Sequence, residues 1–124
     1  MKENHSLPDG ELEIMQIVWQ HEPPVSRIAI EQALRGRRAL APSTIITFLS
    51  RLCARGFLSV ERQGRMNLYT PLISRKDYLA GESRRVLDRL YGGSLSAFAV
   101  SLCDSGVTKA ELEELRTLLE EDAL

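Results

Sequence analysis

A chain of 124 residues, 44% hydrophobic and 27% charged, can bury one core of modest size, and its formal net charge of −1 selects no class of partner. No apolar run approaches membrane-spanning length and Met1–Leu7 has no signal-like apolar stretch, so a cytoplasmic protein without membrane insertion is expected. Cys53 and Cys103 lie outside any C-x-x-C pair and signal neither a zinc site nor a disulfide framework.

In chain order, Asp9 is suited to cap a first helix that begins at Gly10, with Leu12, Met15, Val18 and Trp19 marking its apolar face and Ile14 and Ile17 widening it. Pro23-Pro24 ends that helix. Ser26 is placed to cap a short second helix carrying Ile28, Ile30, Ala33 and Leu34, and Arg35-Gly36-Arg37-Arg38 follows as a basic loop. A third helix starts at Pro42, where a missing N–H costs nothing, and stops at Gly56. Ile45, Leu49 and Leu52 recur at helical spacing on one face, while Ser43, Thr44, Thr47, Ser50 and Arg51 fall on the other. Phe57–Arg62 and Met66–Thr70 read as two strands about a turn at Gly64, the second closed by Pro71.

The remainder is helical. Tyr78, Leu79, Val86, Leu87, Leu90 and Tyr91 recur at spacings of three, four and seven until Gly92-Gly93. A short helix holds Leu95, Phe98, Ala99 and Leu102. Thr108 and Glu111 form a capping box for a last helix carrying Leu112, Leu115, Leu118 and Leu119 on one face. The order of elements predicts a mainly α protein with a small β-wing: a winged helix-turn-helix domain over residues 7–73, then a helical region over 74–124. The latter is too small to build a core alone. Its stripes, represented by Leu87, Leu90, Tyr91, Leu95, Phe98, Leu112, Leu115 and Leu119, call for a partner surface, which a second copy of the chain supplies most simply.

Charge is unevenly placed. Residues 35–76 hold 9 basic side chains against one acidic, Glu61, whereas residues 77–124 hold 5 against 10. A basic centre with an acidic tail suits a protein of which one part meets phosphate. Short hydroxyls let a helix approach the major groove closely, and Arg can take guanine with both arms. Ser43, Thr44, Thr47 and Arg51 are therefore candidates to contact bases. Arg37, Arg38, Arg55, Arg62 and Arg65 are candidates for backbone phosphates, which position a protein without specifying sequence.

His5 and His21 are the only histidines, and there is no metal-ligand motif, nucleophile elbow or Gly-rich phosphate loop, so neither an enzyme nor a cofactor is expected. Two other functions are compatible with the same pattern. A redox-responsive repressor would use Cys53 or Cys103, although Cys53 lies near the apolar face of the third helix and reads first as a small core residue. A winged-helix module that binds protein would not need the basic centre.

Several pieces in order resemble the BlaI/MecI/CopY family of penicillinase-type repressors, over about residues 7–121. They are Leu12-Glu13-Ile14-Met15-Gln16-Ile17-Val18-Trp19, Val25-Ser26, Pro42 to Thr47 with Arg51-Leu52 and Gly56, Gly64-Arg65, Tyr69-Thr70-Pro71, Leu90-Tyr91-Gly92-Gly93 and Glu113 to Glu121. The resemblance implies a homodimeric transcriptional repressor of a dyad-symmetric operator in double-stranded DNA, with positions 43, 44, 47 and 51 facing the groove. It also implies release in some members by a membrane sensor metalloprotease pathway that ends in cleavage within the dimerisation region. The matching bond is Ser101–Leu102, which stands where familiar antibiotic-responsive members carry Asn-Phe. The copper-responsive branch has a C-terminal cysteine cluster, where this chain reads Glu121-Asp122-Ala123-Leu124. Ala41 stands where the family often has a Ser cap, a difference worth about 1 kcal/mol to the third helix.

Overall fold

In the computed structural model, residues 6–121 are described; His5 and residues 122–124 of the C-terminal segment lie outside them. The elements are α1 (Asp9–Trp19), β1 (Val25–Ser26), α2 (Arg27–Arg35), α3 (Pro42–Ala54), β2 (Leu58–Gln63), β3 (Met66–Pro71), α4 (Arg75–Tyr91), α5 (Leu95–Asp104) and α6 (Lys109–Glu121). The fold is mainly α with a small antiparallel sheet of order β1-β3-β2. The chain divides into two compact units, one running to Glu82 and the other starting at Ser83.

In the first unit, Ile14, Ile17 and Val18 of α1 close on Ile30 and Leu34 of α2 and on Ile45, Leu49 and Leu52 of α3. Phe57, Leu58 and Tyr69 cover the sheet side of this core. Tyr78, at the start of α4, is buried in it as well. Its ring lies 5.6 Å from that of Trp19 and 5.9 Å from that of Phe57, and its hydroxyl accepts from the Leu7 N–H at 2.9 Å. The indole N–H of Trp19 donates to the Ile73 carbonyl at 2.9 Å, so Trp19 packs a half-buried ring against the core with its polar end satisfied.

The ends of α3 are set by local chemistry. Pro42 opens it after Ala41, which offers no side-chain cap. At the other end Gly56 takes φ 84°, the Gly56 N–H bonds to the Cys53 carbonyl and the Phe57 N–H to the Leu52 carbonyl. That is a Schellman closure, which a side chain at position 56 would strain. β2 and β3 pair from Leu58↔Pro71 to Gln63↔Met66 and leave Gly64-Arg65 as a two-residue turn, with Gly64 at φ 61°.

Three details differ from the sequence-based expectation. Pro8, not Asp9, occupies the cap position of α1. Its fixed extended backbone already lets its carbonyl accept the Leu12 N–H at 2.9 Å, and Asp9 becomes the first helical residue, where its charge suits the helix dipole. Ile28 is exposed, because a helical offset of two turns it away from the stripe made by Ile30 and Leu34. Val25 and Ser26 form a strand, pairing Val25↔Tyr69 and Ser26↔Leu68, while Ser26 Oγ also caps α2 by accepting the Ala29 N–H at 3.1 Å.

The second unit is built differently. Ser94 caps α5, accepting from the Ala97 N–H at 3.0 Å, and Thr108 and Glu111 exchange the two bonds of a capping box at 3.1 and 2.9 Å. The Tyr91 and Phe98 rings lie 5.3 Å apart, and the Tyr91 hydroxyl donates to Ser101 Oγ at 2.9 Å. Among its described residues, Ser83–Glu121, none is buried. Leu87, Phe98 and Leu112 are half-buried, whereas Leu90 and Leu95 are 63% and 68% exposed.

Candidate nucleic-acid interface

α3 is sealed on one side by Ile45, Leu49 and Leu52, which leaves a polar outer face. Its centre is the line Ser43, Thr47, Ser50 and Ala54, spaced four, three and four residues apart and all exposed. Thr47 Oγ1 donates to the Ser43 carbonyl at 3.0 Å, a bond within the helix that leaves the hydroxyl oxygen as an acceptor. This face is narrow and made of short side chains, the shape a groove-binding helix requires.

The two edges of the face differ. Toward α1 lie Thr44, half-buried, and the arginines Arg51 and Arg55. Phe48 also packs on this side: a Cβ at Gly10 would run into its ring, so the glycine sets how closely α1 approaches α3. Arg55 Nη1 donates to Glu11 Oε1 at 2.9 Å, and Arg51 Nη1 lies 3.8 Å from Glu11 Oε2. Glu11 itself is fully buried. Toward the sheet lie Ile46, 45% exposed, and Ser50. A groove of about 350 Å³ runs beside them, lined also by Arg27, Cys53, Val60, Asn67 and Tyr69.

The wing adds charge on that side. Arg62 and Arg65 are exposed and, with Ser26, Arg27 and Asn67, line a second groove of about 260 Å³. Arg62 Nε donates to the Gly64 carbonyl at 3.1 Å, which holds its guanidinium at the hairpin tip. Arg38 is exposed near the start of α3. Arg37, grouped with it from the sequence, is held against α1 instead: its guanidinium donates to Glu13 at 3.0 Å and to Gln20 at 2.8 Å.

Sequence reasoning missed two residues of this region. Glu11 shares the α1 stripe with Met15 and Val18, at offsets of four and seven, and a charge on an apolar stripe was the available signal. Ile46 follows Ile45 but lies off the stripe of Ile45, Leu49 and Leu52, and an apolar residue outside that stripe was the available signal. Cys53 is half-buried, and desolvation pushes its thiol above the ordinary value, as burial also does first for the neighbouring Tyr69 hydroxyl.

The family model described as Penicillinase repressor matches residues 7–121. The chain belongs to the penicillinase repressor family. It is similar to the penicillinase repressor of Bacillus licheniformis, 33% identical over 122 residues, covering 98% of this chain and 94% of that one. Among solved structures it is similar to the DNA-binding domain of the repressor BlaI, with a TM-score of 0.55 and 35% identity over 63% of this chain and 94% of that one. It is also similar to monomeric Bacillus licheniformis BlaI in complex with the blaP half-operator, with a TM-score of 0.52, 35% identity and the same coverage. Members of the penicillinase repressor family are transcriptional repressors and not enzymes, and the winged helix of this chain is the DNA-binding fold of those relatives.

Proposed function

We propose that this chain is a homodimeric, sequence-specific repressor that acts in the cytoplasm and places α3 of each subunit in the major groove of a dyad-symmetric operator. The observation that carries the reading is the outer face of α3: short hydroxyls from Ser43, Thr47 and Ser50 at its centre, with Arg51 and Arg55 along one edge and the wing arginines Arg62 and Arg65 beyond the other. Ser43, Thr44, Thr47 and Arg51 contact bases in this reading. Arg38, Arg55, Arg62 and Arg65 meet phosphate, with Arg37 the least available of the candidates because Glu13 and Gln20 hold it.

Dimerisation through the region after residue 74 is supported by Ser83–Glu121, which buries none of its own described residues while exposing Leu90, Leu95, Leu115 and Leu119. Such a segment gains its core from a partner, and two-fold symmetry matches half-site reading. Release by a sensor metalloprotease cutting Ser101–Leu102 gets no support from the geometry. Both residues are half-buried inside α5, and Ser101 accepts the Tyr91 hydroxyl, so a protease would first have to unwind the helix.

The test is a footprint of the full-length protein on duplexes selected from a random library. Two half-sites related by a dyad, about one or two helical turns apart, are expected. A footprint without dyad symmetry overturns the dimeric reading. A shallow salt dependence of duplex binding would instead favour a protein-binding module.

A further inference from the structure

Glu11 is a charge where the fold has no need of one. A buried ion pair is often replaced by an apolar side chain at no loss of stability, so a fully buried carboxylate on the core face of α1 asks for a role beyond packing. Its bonding is also incomplete. Oε1 accepts from Arg55 Nη1 at 2.9 Å, but Oε2 is buried and accepts no hydrogen bond among the described residues. Arg51 Nη1 lies 3.8 Å from Oε2, too long for a hydrogen bond and short enough for strong attraction.

That arrangement draws the Arg51 guanidinium to one place without consuming its donors. Arg51 stays 56% exposed, and Glu11 takes no hydrogen bond from it, so its guanidinium remains accessible to a ligand. Guanine recognition needs two parallel N–H groups presented together, and a free arginine on a helix surface samples many rotamers before it finds that pose. A fixed negative charge behind the guanidinium narrows the search in advance, and the low dielectric around Glu11 strengthens its pull. Arg55, hydrogen-bonded to the other oxygen, keeps the carboxylate from turning.

We propose that Glu11 is a positioning residue for base recognition: from inside the core it orients Arg51, and through it sets discrimination at the base pair that Arg51 reads. This rests on Arg51 being a base reader, as the proposed function has it.

The experiment measures binding of full-length wild type, Glu11→Gln, Glu11→Met, Arg51→Lys and Glu11→Gln/Arg51→Lys to the operator and to a panel of single-base variants at one salt concentration, with a thermal melt of each protein. Glu11→Met removes the charge without leaving a polar group to satisfy, and so keeps the test open if the Gln variant folds poorly. The expected result is that the Glu11 variants lose at least about fivefold of discrimination at the same base pair as Arg51→Lys, and that the double variant loses no more there than Arg51→Lys alone. If the Glu11 variants shift affinity for every duplex alike, up or down, with discrimination intact, Glu11 serves the fold or restrains phosphate binding and the inference falls. If Arg51→Lys itself leaves the panel unchanged, base reading by Arg51 falls first, a result visible without any Glu11 variant.

Discussion

Glu11 and Arg55, 44 positions apart in the sequence, meet at 2.9 Å and join the interior of α1 to the end of the helix that faces solvent with its hydroxyls. The carboxylate is buried and the guanidinium is partly exposed, so the two partners are not equivalent. Losing Arg55 strands a buried acceptor, whereas losing Glu11 only frees a cation that water can solvate.

Arg55→Ala should therefore destabilise the protein by about 1–3 kcal/mol, toward the lower end because Arg51 stands close enough to move in. Adding Glu11→Met to that variant should recover much of the loss. Urea unfolding midpoints of the two proteins check this, and a double variant no more stable than Arg55→Ala would contradict it.

Ile46 presents a branched apolar group on the sheet-side edge of the α3 outer face. The only apolar group a base pair offers in the major groove is the thymine methyl. Replacing thymine by deoxyuracil at one position of each half-site should weaken wild-type binding, and Ile46→Ala should be indifferent to that replacement. Equal sensitivity of both proteins at every thymine would remove Ile46 from the reading set.

For the wing, Arg62→Ala/Arg65→Ala should weaken binding to all duplexes alike and flatten the plot of log affinity against log salt by about one unit for each phosphate that the protein no longer neutralises. A weakening confined to one operator sequence would move these residues from positioning to base readout.

Much of this arrangement was legible in the residues, for reasons that also mark where legibility stopped. Ile45, Leu49 and Leu52 repeat at helical spacing, Pro42 and Gly56 punctuate the ends, and Gly64 demands a hairpin, so α3 and its wing could be read directly. The capping box at Thr108 was equally plain, because both of its bonds are local. β1 was not legible: two residues cannot show alternation, and Val25-Ser26 becomes a strand only because β3 lies beside it. Which arginine is free was not legible either. Arg37 and Arg38 are neighbours of identical chemistry, and only the fold brings Glu13 and Gln20 to the first of them. Glu11 escaped notice since its partners lie more than one element away.

The leucines of the second unit make the next expectation concrete. Leu90→Lys/Leu115→Lys should convert a dimer at micromolar concentration into a monomer, with operator affinity falling far more than affinity for a single half-site. Sedimentation checks the first part and binding to one half-site the second. A full-length wild-type chain that sediments as a monomer at that concentration while binding its operator would sink the dimeric reading.

The cysteines separate the redox alternative. Cys103 is exposed and should alkylate first at neutral pH, while Cys53, half-buried and with its thiol pushed up by desolvation, should react slowly. Folding favours the protonated thiol of Cys53 and, likewise, the protonated hydroxyl of Tyr69. The stability they contribute is complete below the ordinary values of 9.0 and 10.0 and is lost as pH rises past them, so Tm should hold steady to about pH 9 and then fall. Operator binding should survive alkylation of Cys103. Abolition of binding by that single modification would revive a thiol switch.

The absence of any buried side chain across Ser83–Glu121 bears on dosage. If those helices acquire an interior only by joining another copy, ordering and association are a single equilibrium governed by how much protein the cell holds. Occupancy of a two-half-site operator would then climb with roughly the second power of concentration at low abundance, from mass action alone. Modest dilution at cell division, or a modest rise in turnover of the chain, would open the regulated gene without any ligand at all.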